Sequence, residues 1–114
     1  MALNNSIVLI NSNGMGKGPE ELQLTLIGKY LQLLLQNGTL PAAICFYTEG
    51  VRLTVEGSPV LEQLRELEKA GVRLIVCSTC LNYLGLEGKA RVGIVGGMTD
   101  ILEAQVRAEK VITL

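Results

Sequence analysis

The sequence predicts an α/β fold, with five short strands in one mainly parallel sheet and helices between them. Three observations carry this. The 114 residues are 48% apolar, rich in Leu, Ile, Val and Gly, with 4% aromatics and no Trp, a mixture suited to strands buried on both faces. Apolar runs too short for helices alternate with segments of helical length. The junctions between them are punctuated by glycine and proline. The resulting βαβαβ(α)βαβ order implies parallel strands joined by right-handed crossovers, and the length suits a single domain over 1–114.

Each element has its own warrant. SIVLINS, Ser6–Ser12, reads as a buried strand that runs into the glycine-rich loop Asn13–Gly18. Pro19 at the first helical position, with Glu20 and Glu21 behind it, opens a helix to about Asn37, and Gly38 supplies a left-handed cap. Pro41–Tyr47 is the second strand, followed by the loop TEGVRLTVEGS. Ser58 and Pro59 form an N-cap and first-turn pair for a helix with Leu61, Leu64 and Leu67 on one face, closed by Gly71. Val72–Val76 is the third strand and leads into a cysteine turn; Arg91–Val95 is a short fourth, then Gly96 and Gly97 form a loop. A helix from about Thr99 to Ala108 precedes the last strand, Lys110–Leu114.

Charge and composition exclude several function classes. Ten basic against eleven acidic residues leave a formal charge of −1, with no basic stripe for nucleic acid or anionic membrane. The absence of His removes imidazole catalysis and His-ligated metal. The longest uncharged stretch, Tyr30–Thr48, is broken by Gln32, Gln36, Asn37, Gly38 and Pro41, so no membrane span is expected. Three cysteines behind an N-terminus without signal-peptide character point to the reducing cytoplasm.

The chemistry gathers at the carboxyl edge of the sheet, where parallel α/β folds bind ligands. Cys77 ends an apolar strand and Cys80 follows at CxxC spacing. At the start of a helix, unpaired backbone N–H groups favour a thiolate. The pair suits a persulfide carrier or a dithiol enzyme; the competing reading is two small buried hydrophobes. Cys45, between Ile44 and Phe46, reads as core, and no zinc set can be assembled from three cysteines alone. The loop NSNGMGKG offers Asn13, Gly14, Gly16 and Lys17 as an anion cradle. It misses a Walker A loop because Asn11 stands where a glycine is required, and a dinucleotide fingerprint because Pro19 replaces the third glycine. A tight turn needing glycine dihedrals explains it equally well. Tyr47 and Glu49 are further ligand-edge candidates; Tyr83, Arg52 and Glu56 fit a site or a solvated surface.

The first helix is apolar on more than one side. Thr25, Gly28, Lys29, Gln32 and Gln36 form one polar stripe, and Leu22, Leu24, Leu26, Ile27, Tyr30, Leu31, Leu33, Leu34 and Leu35 cover most of the rest. A homo-oligomer is therefore expected, a monomer leaving several of Leu24, Leu31, Leu34 and Leu35 in water.

FYTEGV after the second strand, the spacing from Cys77 to Gly85, and the closing AEKVITL resemble the DsrE/DsrF/TusD-like sulfur-relay proteins. NSNGMGKG, TVEGS and the turn CSTCLNYLGL are closer still to the DsrE-like domain of YedF-type selenium-metabolism proteins. The resemblance spans essentially the whole chain. It implies a three-layer α/β/α domain assembled as trimers or hexamers, in which a cysteine accepts sulfane sulfur as a persulfide from a TusA-like carrier. By its distance from Gly85 that role falls on Cys77. TusD-type members have no counterpart of Cys80, which leaves open which sulfur reacts. YedF-type proteins carry a TusA-like domain ahead of this one, whereas this chain starts at its first strand, as a free-standing relative or an isolated domain. The expected function is thus relay of sulfur, or selenium, without a bound cofactor or metal. The alternatives are a CxxC thiol–disulfide oxidoreductase, made less apt by the absence of a suitably placed facing proline, and a non-catalytic module binding a small anion or partner.

Overall fold

A computed structural model describes residues 3–114 of the chain. Five strands, β1 (Ser6–Ile10), β2 (Ala43–Phe46), β3 (Arg73–Cys77), β4 (Ile94–Gly96) and β5 (Lys110–Thr113), form one sheet in the order β4-β3-β2-β1-β5. All four pairings are parallel, aligning Val8 with Ile44 and Ile112, Ile44 with Leu74, and Val76 with Val95. Every residue of β1 and β2, and all of β3 except Arg73, is buried, as strands covered on both faces must be. The chain advances from β1 to β4 in one direction and then returns past β1 to β5. Right-handed crossovers put the connecting helices on opposite faces when that direction reverses.

Helix α1 (Glu20–Asn37) starts one residue after the expected position, because Pro19 has ψ 141° and acts as the N-cap, its carbonyl accepting from Gln23 N–H at 3.0 Å. Gly38 closes it at φ 64°, and Thr39 N–H reaches back to the Leu34 carbonyl at 3.0 Å. Helix α2 (Leu61–Lys69) begins two residues late. Ser58 Oγ accepts from Val60 N–H at 3.2 Å, so the serine shapes a turn and the helical bonds start at Val60. Its Leu64 and Leu67 are buried, with Leu61 partly so. Helices α3 (Ser78–Tyr83) and α4 (Met98–Arg107) complete the set, and Asp100 Oδ2 caps the Gly97 N–H of α4 at 3.0 Å.

Strands β1, β2, β4 and β5 are shorter than the segments expected for them, whereas β3 keeps its five residues and lies one position later, ending on Cys77. Pro41 has no N–H to give a ladder, and beyond Tyr47, whose N–H makes the last bond to the Ile10 carbonyl at 3.1 Å, the backbone turns into a 3-10 helix at Thr48. Gly93, at φ 81°, and the bond from Arg91 N–H to the Thr54 carbonyl delay β4 to Ile94. The segment expected to be a loop is folded. Thr48–Thr54 is a 3-10 helix that buries Gly50, Val51, Leu53 and Thr54, whose hydroxyl is satisfied by the Val51 carbonyl at 2.8 Å.

The expectation for α1 needs correction. Leu31 and Leu34 are buried within the chain and Leu24 and Leu35 half-buried, because α2 packs along α1. The leucines left in solvent are instead Leu22, Leu26 and Leu33, at 51%, 39% and 53% exposure.

Candidate functional site

Three strand ends meet at the carboxyl edge. Beyond β2 the backbone reverses at Thr48, the only non-glycine at positive φ (46°) among the described residues. A β-branched residue there is strained and has to be held. Its Oγ1 donates to the Asn11 carbonyl at 3.1 Å, just past β1, and Asn11 Nδ2 reaches Tyr47 Oη at 3.4 Å. Gly50 lies so close to the end of β1 that an added Cβ would sit 2.0 Å from the Ile10 carbonyl oxygen. The 3-10 helix is therefore clamped onto β1, and the Thr48 N–H is aimed at Cys80 Sγ, 3.1 Å away.

Beyond β3, Cys77 takes the N-cap position of α3, its Sγ accepting from Cys80 N–H at 3.3 Å. The Cys80 thiol donates to the same sulfur at 2.7 Å. The two differ in access: Cys77 is 1% exposed, whereas Cys80 is half-buried and opens on a cavity of about 360 Å³ lined also by Thr48, Glu49, Thr79, Tyr83 and Leu84. Burial, then the hydrogen bond to Cys77, hold the Cys80 thiol above its ordinary pKa, while the Thr48 N–H works in the opposite sense. The rim is marked by Tyr83, 90% exposed. Cys45 is wholly buried in β2, and burial pushes its thiol up to about 11 against an opposing pull from Arg73. It is core, as its neighbours in sequence suggest.

The other candidates divide. Tyr47 joins the clamp, and Glu49 lines the thiol cavity while pairing with Arg52. Asn13 shares a second hollow with Glu49, Glu20, Gln23, Ser12 and Arg52. Gly14 and Gly16 build a tight turn folded against α1. Gly14, at φ 142°, lies against the Gln23 backbone, Met15 N–H bonds the Gln23 carbonyl at 3.0 Å, and Gln23 Nε2 reaches the Gly16 carbonyl at 2.6 Å. The N–H groups of Gly14 and Met15 are thus spent inside the turn. Lys17 is exposed on that turn, outside the cavity at Cys80. A larger hollow of about 730 Å³ lies between α1 and the Pro59–Gln63 segment, but it contains no thiol, so the chemistry favours the smaller one. Thr48 and Gly50 stand in the FYTEGV motif, but their part in the clamp was not foreseen from it. Nothing local marks a threonine that will adopt positive φ.

No curated protein matches the chain significantly. Among solved structures, the ychN protein from E. coli superposes with a TM-score of 0.66 at 21% identity, covering 94% of this chain and 97% of that one. A protein of unknown function from Methanobacterium thermoautotrophicum does so with a TM-score of 0.70 at 19% identity, covering 96% and 97%. At these identities the likeness establishes the fold. Residues 6–114 match the DsrE/DsrF-like family, and the chain belongs to that family.

Proposed function

We propose that the protein relays sulfur, holding sulfane sulfur as a persulfide at the Cys77–Cys80 turn. One observation carries the reading: two thiols 2.7 Å apart at the carboxyl edge of the sheet, one of them open to a cavity. Family membership supports it, since DsrE-type proteins are linked to sulfur relay. A carrier's persulfide meets Cys80 first, because Cys77 is 1% exposed. Cys77, the position favoured by the resemblance, lies one S–S exchange further in. The donor in this reading is a TusA-like carrier, the compartment is the reducing cytoplasm, and kinship with YedF-type domains makes selenium a second cargo to test. Helix α1 contributes the surface for a homotrimer or hexamer through Leu22, Leu26 and Leu33. No helix among the described residues is long and apolar enough to cross a membrane.

The test is transfer of radiolabelled sulfane sulfur from a persulfide-loaded TusA-like carrier. Label should leave the carrier, and Cys77→Ala and Cys80→Ala should each trap it on the remaining cysteine of the pair. Label on Cys45 alone, or no uptake from a competent carrier, would refute the proposal. The short Sγ–Sγ distance also favours a thiol–disulfide oxidoreductase. That reading requires reduction of a protein disulfide such as insulin's at a rate that either single cysteine substitution abolishes.

A further inference from the structure

Resting on the sulfur-relay reading, the geometry points to a second activity: a persulfide on either cysteine of the turn is discharged by the other as hydrosulfide, leaving a Cys77–Cys80 disulfide. We infer that the protein is a persulfide-discharging dithiol as well as a carrier.

A single-cysteine carrier can only wait for an acceptor. Here the second sulfur is already in place, 2.7 Å from the first. Positions three apart share one face of a helical turn, and Cys77 caps α3 while Cys80 lies in its first turn. The step balances. Persulfide Cys80–S–SH and the Cys77 thiolate combine so that Cys77 Sγ bonds to Cys80 Sγ, the S–SH bond breaks, and its electron pair leaves with HS⁻. The sulfane sulfur is reduced to sulfide and the two thiols are oxidised to the disulfide. A persulfide on Cys77, attacked by Cys80, gives the same products. Attack on the outer sulfur would only move it between the cysteines and would expel a cysteine thiolate. Attack on the inner sulfur expels hydrosulfide, the less basic leaving group, which departs faster.

Two features of the site serve this step. Cys80 N–H bonds Cys77 Sγ at 3.3 Å and Thr48 N–H bonds Cys80 Sγ at 3.1 Å, so a backbone donor holds each sulfur in place beside the other. The cavity on the open side of Cys80 gives the sulfide a way out. Groups held in reacting geometry reach effective molarities of about 10⁵ M and above, so a free acceptor at micromolar concentration loses to the neighbouring thiol. Only an acceptor docked on the turn can collect the sulfur. The disulfide is returned to the dithiol by a dithiol reductant, which closes the cycle.

The experiment uses the reduced full chain and one equivalent of glutathione persulfide, with intact mass and released sulfide followed together. The double Cys77→Ser, Cys80→Ser variant supplies the blank for decay of the donor. Wild type should release one sulfide per chain above that blank and lose the mass of two hydrogens, and dithiothreitol should restore uptake. Cys77→Ser and Cys80→Ser should each retain one extra sulfur atom and release no sulfide above the blank. A wild-type chain that retains its extra sulfur as long as the single variants do would overturn the inference while leaving sulfur relay standing. Failure of all three chains to gain sulfur or release sulfide, from glutathione persulfide and from a persulfide-loaded TusA-like carrier alike, would overturn both.

Discussion

Replacing Gly50 by alanine tests the clamp that aims a backbone donor at the reactive turn. The new Cβ would lie 2.0 Å from the Ile10 carbonyl oxygen, 2.7 Å from its carbon and 3.3 Å from Asn11 Cα. All three are backbone atoms of β1 and its exit, so no side chain can rotate aside. The 3-10 helix has to lift away, and it takes with it the bonds Tyr47 N–H to Ile10 and Thr48 Oγ1 to Asn11, both at 3.1 Å. Overpacking costs about 1–3 kcal/mol and each lost hydrogen bond about 1 kcal/mol, for a total of about 3–5 kcal/mol. For a domain of this size 1 kcal/mol is worth about 4 °C, so Tm should fall by about 10–20 °C in thermal unfolding followed by circular dichroism. Below the melting range, iodoacetamide should alkylate Cys80 more slowly, because the Thr48 N–H no longer stabilises its thiolate. A Tm within about 2 °C of the parent, with unchanged alkylation, would show that the end of β1 yields freely and that the clamp is not what aims the donor.

The same substitution elsewhere should have the opposite sign. Gly28 sits inside α1 with its nearest neighbour, Val60 Cγ1, at 4.0 Å, so Gly28→Ala should stabilise by about 0.5–1 kcal/mol in denaturant titration. Cys45 makes stability fall at alkaline pH. Its thiol is raised from 9.0 to about 11 in the folded chain, so below pH 9 both states hold the proton, and between 9 and 11 only the folded state does. Unfolding then gains about 1.4 kcal/mol per pH unit, a loss of about 2–3 kcal/mol of stability by pH 11, which Cys45→Val should remove; an equally steep decline in that variant would assign it to other groups. Light scattering at low micromolar concentration should give the mass of a trimer or hexamer, reduced to that of a monomer by Leu26→Glu with Leu33→Glu. A monomer mass for the unaltered chain would eliminate α1 as an interface.

Much of the architecture was legible because its causes are local. Pro19 followed by Glu20 and Glu21 favours a helix start, and Gly38 can take the left-handed cap that ends it. Runs such as SIVLI and LIVC are short, apolar and β-branched, and bounded by turn residues they fit buried parallel strands. The 3-10 helix was not legible. Its residues satisfy no helical period, and what folds them is the end of β1 against Gly50 and the core around Val51 and Leu53. The apolar flank of α1 was legible, but not which of its leucines the chain itself buries: Leu31 and Leu34 are covered, and Leu22, Leu26 and Leu33 are exposed.

The sequence by itself determined the strand and helix order, the parallel sheet, and the cysteine pair at the sheet's carboxyl edge, since periodicity, caps and spacing between neighbours encode all three. Only the tertiary structure decided that Cys77 is sealed and Cys80 open, that Thr48 turns its N–H onto the second sulfur, and that the glycine loop folds against α1, with Met15 N–H bonded to the Gln23 carbonyl. Those outcomes depend on which segments far apart in the chain come to lie against one another. Burial and hydrogen bonding are set by that juxtaposition, not by the identity of adjacent residues.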